Sequence, residues 1–318
     1  MPSAQIVWVK PWYFAGHFPF ILMVRNCYQF FAVIEHSLPE KVPCRLKRYY
    51  FGLIPRPEFW WHRQKFYRRF LSLFPDHIFC VSEASKLILT AADLIPRKKI
   101  SVCPNGLDTQ YWHRNKDSRI CFRKKIGIPD DWYLFGWVGR MVELKQVEIA
   151  IRALSLIIKK DDHLNCGLLL VGEGPEQKRL ECMVKEEGVL KHVFFTGFLY
   201  DPRPAYSAMD TFLLPSKFES FPLVLLEAMA CGCSAISANV GDANKLISDP
   251  SLGCIIDGYD IEKWKMQMCA FLEKSSMEIK EISKLAQQHV QKFHNQTEQM
   301  RLFNKVLFGK NKKNINNV

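Results

Sequence analysis

Long apolar segments are scarce in this chain of 318 residues. No stretch reaches the roughly 18 consecutive apolar residues that a membrane-spanning helix requires. The best candidate, FPFILMVRNCYQFFAVIEHS, is interrupted by Arg25 and Asn26. The chain also does not open with the basic segment and apolar run of a secretory signal. The sequence therefore predicts a cytoplasmic protein without a membrane-spanning helix.

Closely spaced cysteines are missing too. The chain has eleven cysteines, which are scattered, and it contains no C-x-x-C pair; the closest two are Cys231 and Cys233. A disulfide framework or a zinc site would need regular pairs. We therefore expect reduced thiols, which agrees with a cytoplasmic location.

Several catalytic motifs are absent. There is no G-x-S-x-G, no P-loop, no H-E-x-x-H and no D-x-D pair. These absences disfavour a serine hydrolase, a P-loop NTPase, a zinc protease and an enzyme in which paired aspartates bridge a metal ion to phosphate. The glycine pair of VGEGPE lacks the third glycine of a dinucleotide fingerprint, which weakens an oxidoreductase interpretation. The sequence thus predicts neither a bound metal ion nor a cofactor.

Basic charge is concentrated near the N-terminus, where aromatic residues are also dense. Residues 1–104 hold 15 Lys and Arg against 6 Asp and Glu, within a net charge of +12 for the chain. Such a surface suits anionic lipid headgroups, because rings lie at the interface while cations meet phosphate. Alternatively, the rings are core residues and the charges form a solvated face. Both interpretations stay open, whereas a nucleic-acid partner is disfavoured.

Residues 131–257 alternate regularly between short apolar runs and segments with helical spacing. Strands that are apolar throughout and alternate with helices indicate a parallel sheet covered on both faces, that is, a doubly wound α/β domain. Ligands of such domains bind beyond the carboxyl ends of the strands. The six predicted strands lie in WYLFGWVGR, CGLLLVGEG, HVFFTGF, DTFLLPS, CSAISAN and LGCIID.

Two of the predicted strand ends carry charged candidates. Arg140 and Lys145 flank the turn after the first strand, and two cations beside a helix N-terminus favour an anion. After the fourth strand, FESFPLVLLEAMACG places Glu219 in a loop and Glu227 in the second turn of a helix. The two acids are roughly 12 Å apart at most, too far to share a proton but suited to two ends of one ligand. Ser220 is the expected N-cap and Pro222 the expected first helical residue.

In order and spacing, VSEAS, PNGLD, VGRMVELK, LLLVGEGP, VFFTGF and PSKFESFPLVLLEAMACG resemble the retaining glycosyltransferases of the GT-B fold, glycosyltransferase family 4 type. The resemblance extends over roughly residues 5–305 and is strongest over 77–258. It implies two Rossmann-like doubly wound domains, of which the N-terminal one is incomplete. The implied segments are a partial acceptor-side domain at 1–112, a nucleotide-sugar-binding domain at 113–290, a helix at 291–309 that packs back on the first domain, and a disordered tail at 310–318.

The resemblance also implies a role for each matching residue. Arg140 and Lys145 would bind the diphosphate of a UDP- or GDP-sugar, Glu219 would contact the sugar, and Glu227 would contact the ribose. His36, in VIEHS, matches the position where the family often has a histidine near the sugar. The remaining implied contacts are backbone groups at Gly139, Ser220, Phe221 and Pro222 and a border of the base at Gly172, Gly174 and Phe198.

The implied reaction is sugar transfer with retention and without a metal ion, to a glycan or a lipid-linked acceptor. An anionic membrane surface is a further expected partner. Three departures stand out: Gln146 where the family usually has glycine, Ser234 where proline is common, and a start, AQIVWVKPWYFAG, that resembles a mid-domain strand. The last is explained by a natural short form, a start assigned too late, or a partner subunit that completes the domain. The unusual start keeps an alternative open. In that alternative, the chain is a degenerate relative of the family that binds a nucleotide-sugar or serves as a partner subunit without catalysing transfer.

Overall fold

The computed structural model describes residues 29–32, 49–52, 77–91 and 94–308. The described residues divide into two compact units. The first contains the described parts of 1–80 and 86–101, and the second contains 81–85 and the described residues from Val102 onwards. His36 and the tail 310–318 lie outside the described residues, so the predictions made for them stay predictions.

Among the described residues, four strands form the N-terminal sheet, in the order β1-β2-β3-β4. β1 is antiparallel to β2, and β2 is parallel to β3. In the first part of the chain, the segments QIVWV, FFAVIEHS, HIFCVSEAS and KISVCPNGLD each predict a strand followed by a turn. The strands in HIFCVSEAS and KISVCPNGLD are confirmed, whereas QIVWV lies outside the described residues. The strand at YYFG was not predicted, and FFAVIEHS overlaps its strand only at its first three residues. The bounds are β1 Gln29–Ala32, β2 Tyr49–Gly52, β3 His77–Cys80 and β4 Ile100–Val102.

The second unit is built on a six-stranded sheet in the order β10-β9-β8-β5-β6-β7, in which every neighbouring pair is parallel. All six predicted strands are confirmed. β6 is buried along its whole length, which explains its unbroken apolar sequence. The bounds are β5 Tyr133–Val138, β6 Cys166–Val171, β7 Val193–Gly197, β8 Thr211–Leu214, β9 Ser234–Ala238 and β10 Gly253–Ile256.

Helices alternate with these strands, as predicted for a doubly wound α/β domain. The α-helices described in the chain are α1 Glu83–Ala91, α2 Lys116–Ile126, α3 Val147–Lys160, α4 Gln177–Glu186, α5 Arg203–Ala208, α6 Leu223–Ala230, α7 Ala243–Leu246, α8 Ile261–Leu272, α9 Ser276–Phe293 and α10 Gln296–Phe308. Over the described ranges, no helix combines the length and apolarity needed to cross a membrane.

The C-terminal helical segment differs from its prediction. The sequence SKLAQQHVQKFHNQTEQMRLFNKVLF predicts one continuous helix, but α9 ends at Phe293 and α10 begins at Gln296. At this interruption, the backbone of Leu107 forms two hydrogen bonds. Its N–H donates to the carbonyl of His294 at 2.8 Å, and its carbonyl accepts from Gln296 N at 3.0 Å. These two bonds replace helical ones, so the chain turns at 294–295.

Candidate functional site

The strand order of the second unit places a topological switch point between β5 and β8. From β5 the chain proceeds outward through β6 and β7, and it then returns to the other side of β5 for β8, β9 and β10. The loops after β5 and β8 therefore leave the sheet in opposite directions and open a crevice between them. Open α/β sheets bind ligands at such a crevice, outside the carboxyl ends of the strands.

A cavity of about 910 Å³ lies over the carboxyl ends of β5, β6 and β7. Each of these strands contributes the residues that directly follow it, and Glu227 and Trp112 complete the wall. The volume falls in the range of small-molecule sites. The lining residues are Trp112, Val138, Gly139, Arg140, Val171, Gly172, Glu173, Gly174, Gln177, Phe198, Leu199, Tyr200, Pro202 and Glu227.

Two glycines of this wall are required by the packing of the loops. A Cβ on Gly172 would collide with the carbonyl oxygen of Gly139, and Gly172 has a φ of +117°. A Cβ on Gly174 would collide with the carbonyl oxygen of Met141. Both positions bring the loop after β6 against the loop after β5, so any side chain there would separate the two loops that form the cavity.

An ion pair joins the loops on either side of the switch point. Lys145 Nζ lies 2.5 Å from Glu219 Oε1, and the two side chains are only 26% and 12% exposed. Next to it, the backbone N–H of Lys217 donates to the carbonyl of Leu144 at 2.8 Å. The segments that carry the predicted cation and the predicted acid are thus fixed to each other.

The loop after β9 supports the backbone beneath Glu219. Gly241 has a φ of +54°, and a Cβ there would lie 2.5 Å from the carbonyl oxygen of Glu219 and 2.6 Å from that of Ser220. Only glycine permits this approach. The backbone that enters α6 is therefore held by a third loop at the same edge of the sheet.

The start of α6 differs from its prediction by one to two residues. The helix begins at Leu223, and Pro222, with an extended backbone, is the N-cap; no side chain caps the helix. Ser220 is therefore not the N-cap, and Pro222 is not the first helical residue. Proline lacks an N–H, so the free backbone donors of this helix start at Leu223.

Glu227 lines the cavity and has a strongly perturbed pKa. It lies in the second turn of α6, as predicted, and its Oε2 accepts a hydrogen bond of 2.8 Å from the hydroxyl of Tyr206. Burial raises the pKa of Glu227 to about 7, while the bond from Tyr206 acts in the opposite direction. Titratable groups shifted by burial inside a cleft are typical of functional sites.

The structure thus brings six of the predicted residues to one cavity: Gly139, Arg140, Gly172, Gly174, Phe198 and Glu227. Lys145 and Glu219 form their ion pair at the adjoining strand ends, with Ser220, Phe221 and Pro222 following in the chain. The roles assigned to these residues stay predictions. The sequence pattern did not point to Trp112, Glu173, Tyr200 or Tyr206, because nothing in their spacing distinguishes them from ordinary loop and helix residues.

The residue after Lys145 is strained. Gln146 has φ 46° and ψ 43°, in the left-handed region, which explains why glycine suits this position. Its Oε1 is also buried without a hydrogen-bond partner among the described residues. We expect Gln146→Gly to raise the free energy of unfolding by about 1 kcal/mol after the greater entropy of unfolded glycine is subtracted. Urea denaturation of the two proteins measures this difference.

Gln146→Ala separates the two causes of that gain. It removes the buried oxygen and keeps the left-handed backbone, so a gain seen in both variants comes from the oxygen and a gain seen only with glycine comes from the backbone. A lower stability of Gln146→Gly than of the wild type would contradict the prediction.

The second unit matches a known family. The family model described as "Glycosyl transferases group 1" matches residues 118–292, more than half of the chain. The D-inositol 3-phosphate glycosyltransferase of Salinispora tropica is 29% identical over 238 residues, which cover 67% of this chain and 48% of that protein. The GDP-mannose-dependent alpha-(1-6)-phosphatidylinositol monomannoside mannosyltransferase of Mycolicibacterium smegmatis is 30% identical over 176 residues, 52% of this chain and 45% of that protein.

A solved structure agrees in fold. HepE of Anabaena, in complex with UDP and glucose, superposes with a TM-score of 0.72 at 20% identity, over 79% of this chain and 68% of that one. At this identity the likeness establishes the GT-B fold and nothing finer. The chain spans somewhat less than half the length of the two curated relatives described above.

Proposed function

Because the chain belongs to the family of glycosyl transferases group 1, we propose that it binds a nucleotide-diphospho-sugar at the switch point and transfers the sugar with retention to a glycan or lipid-linked acceptor. One observation carries the proposal: the cavity that contains Arg140 and Glu227 and the ion pair of Lys145 with Glu219 lie at the carboxyl ends of neighbouring strands. The name of the mannosyltransferase relative supports a nucleotide-sugar and a glycolipid acceptor.

The proposed ligand is distributed along this edge according to charge. Arg140 and Lys145 bind the diphosphate, because their positive side chains balance its negative charge. The base lies against Gly172, Gly174 and Phe198, which line the cavity. Glu227 accepts hydrogen bonds from the ribose hydroxyls, and Glu219 lies next to the sugar.

The proposed catalysis is electrostatic. Negative charge develops on the diphosphate as the glycosidic bond breaks, and fixed cations directed at that charge lower the barrier. Arg140 and Lys145 can supply this stabilisation, which supports a reaction that requires no metal ion. The N–H groups at the start of α6 add to it, because the N-terminus of a helix favours an anion.

Isothermal calorimetry against a panel of UDP-sugars and GDP-sugars tests the proposal. We expect at least one of them to bind, and we expect Arg140→Ala to weaken that binding by about 10- to 100-fold, the contribution of a hydrogen bond between charged groups. Arg152, an exposed arginine of α3, provides the matched control: Arg152→Ala should bind like the wild type.

The outcomes separate binding from turnover. Failure of the wild type to bind every nucleotide-sugar of the panel would overturn the proposal. Binding without transfer of labelled sugar to either lipid-extractable or water-soluble glycan acceptors would support a relative that has kept only the binding site. Transfer into one of the two fractions identifies the class of acceptor.

A further inference from the structure

Tyr206 is a fully buried residue of α5 that reaches the wall of the cavity from below. Its ring meets the edge of Trp112 at 5.9 Å and packs against Phe212 at 5.9 Å. Its hydroxyl donates to Glu227 Oε2 at 2.8 Å. Aromatic packing therefore fixes the position of the phenol, and the phenol fixes one oxygen of the carboxylate.

The direction of this hydrogen bond is determined by the chemistry of the pair. Burial, followed by the neighbouring Glu227 carboxylate, raises the pKa of Tyr206 well above its ordinary value, so the phenol keeps its proton and is the donor. A bond donated to a carboxylate stabilises the ionised form, which burial alone disfavours. Tyr206 thus opposes the effect of burial on Glu227.

The second oxygen of Glu227 is available to a ligand. Glu227 lines the cavity, and no residue in the described part of the chain donates to Oε1. We infer that Tyr206 is a positioning residue: it holds Oε2 of Glu227 so that Oε1 faces the cavity as an acceptor for ligand hydroxyl groups. This inference rests on the proposed function, because it takes those hydroxyls to be the ribose hydroxyls of a nucleotide-sugar.

Other ionisable groups lie near Tyr206 and Glu227. Burial raises the pKa of the thiols of Cys231 and Cys233 far above neutrality, so both stay uncharged. Charged side chains on the same cavity or near these thiols are Arg140, Glu173, Arg114 and Arg203. A control variant in which only Glu227 can no longer ionise is therefore needed, so that the pH dependence can be assigned to this residue.

Tyr206→Phe keeps the buried ring and removes only the hydroxyl. We would measure its affinity for the UDP- or GDP-sugar that the wild type binds, by calorimetry between about pH 5.5 and 9. Wild-type affinity should rise with pH through about 7, as Glu227 ionises. At pH 7 the variant should bind about tenfold more weakly. The difference should become several times smaller by about pH 9, where Glu227 is ionised in both proteins.

Two controls make the result specific. Tyr133→Phe removes the hydroxyl of a partly buried phenol, one that bonds to Thr211 at 2.5 Å outside the cavity, and should leave the pH profile unchanged. Glu227→Gln should flatten the rise near pH 7. If Tyr206→Phe weakens binding equally at every pH, Tyr206 has a purely structural role and the inference is wrong.

A titration without ligand separates this inference from the proposed function. The side-chain carboxyl of Glu227, assigned in ¹³C NMR spectra through Glu227→Gln, should titrate at higher pH in Tyr206→Phe than in the wild type. An unchanged titration would overturn the inference even if nucleotide-sugars bind. Absence of nucleotide-sugar binding would overturn the proposed function, and it would overturn the ligand role inferred for Glu227 Oε1 as well.

Discussion

Replacement of Asp210 by asparagine is expected to lower the free energy of unfolding by about 3–5 kcal/mol, because it breaks a buried ion-pair cluster on one side only. Asp210 Oδ2 accepts from Arg123 Nη2 at 2.9 Å and from the backbone N–H of Leu134 at 2.8 Å. Oδ1 lies 2.9 Å from Arg119 Nη2 and 3.5 Å from Arg114 Nη2. One carboxylate therefore contacts three guanidinium groups.

Arg123 determines how large this effect is. Its side chain is 1% exposed, and it also donates to the carbonyl of Ala208, at the end of α5, and to those of Pro129, Asp130 and Trp132. Without Asp210, this cation would be buried without a counter-ion, which costs far more than the loss of an exposed pair. The cluster fastens α2 to the sheet and to the helix that carries Tyr206.

Urea denaturation of the wild type and Asp210→Asn measures the loss. The matched control is Asp201→Asn, which also removes the carboxylate partner of an arginine, but at a site where Asp201 is 38% exposed and Arg203 is 31% exposed. This control should cost about 1 kcal/mol or less. A loss below about 1 kcal/mol for Asp210→Asn would show that the cluster does not stabilise the fold. Failure of the variant to fold agrees with the prediction, since the expected loss is a large part of a typical protein's stability.

The Asp210 cluster also shows what sequence reasoning could not reach. Its arginines lie between 87 and 96 residues from Asp210 along the chain, and each one taken singly has the pattern of a solvated surface residue. The parallel sheet, by contrast, was predictable because its inner strands, β6 and β8 among them, are buried along their whole length and are therefore mainly apolar. The local hydrophobic pattern indicates which residues are buried, but it does not indicate which charged residues contact each other across the fold.

The same distinction applies within the candidate site. The doubly wound topology requires functional residues at strand ends, so Arg140 and the glycines of VGEGPE could be expected around one cavity. Tyr206 could not, since its contact with Glu227 joins two helices at positions 21 residues apart. The only sign of the left-handed backbone at Gln146 was that the family usually has glycine at this position. Glutamine itself has no preference for this conformation.

Lys145→Ala is expected to lower the rate of nucleotide-sugar cleavage, measured as kcat/KM for transfer or hydrolysis, by about 10²- to 10³-fold, the effect of losing one preorganised charge-stabilising group. This expectation rests on the proposed function. The variant also leaves Glu219, which is 12% exposed, without its cation. That carboxylate would repel an incoming diphosphate, so part of the loss could come from Glu219 rather than from a missing contact between Lys145 and phosphate.

A double-mutant cycle distinguishes the two causes. Glu219→Gln alone removes the acid, and Lys145→Ala with Glu219→Gln removes both charges. If Lys145 serves only to neutralise Glu219, the double variant should recover most of the rate lost in Lys145→Ala. If Lys145 stabilises the leaving diphosphate, the double variant should remain as slow as the slower single variant, and Lys263→Ala, at an exposed lysine of α8, should have no effect. A large loss of rate that persists in the double variant would therefore indicate that Lys145 acts on the reacting phosphate.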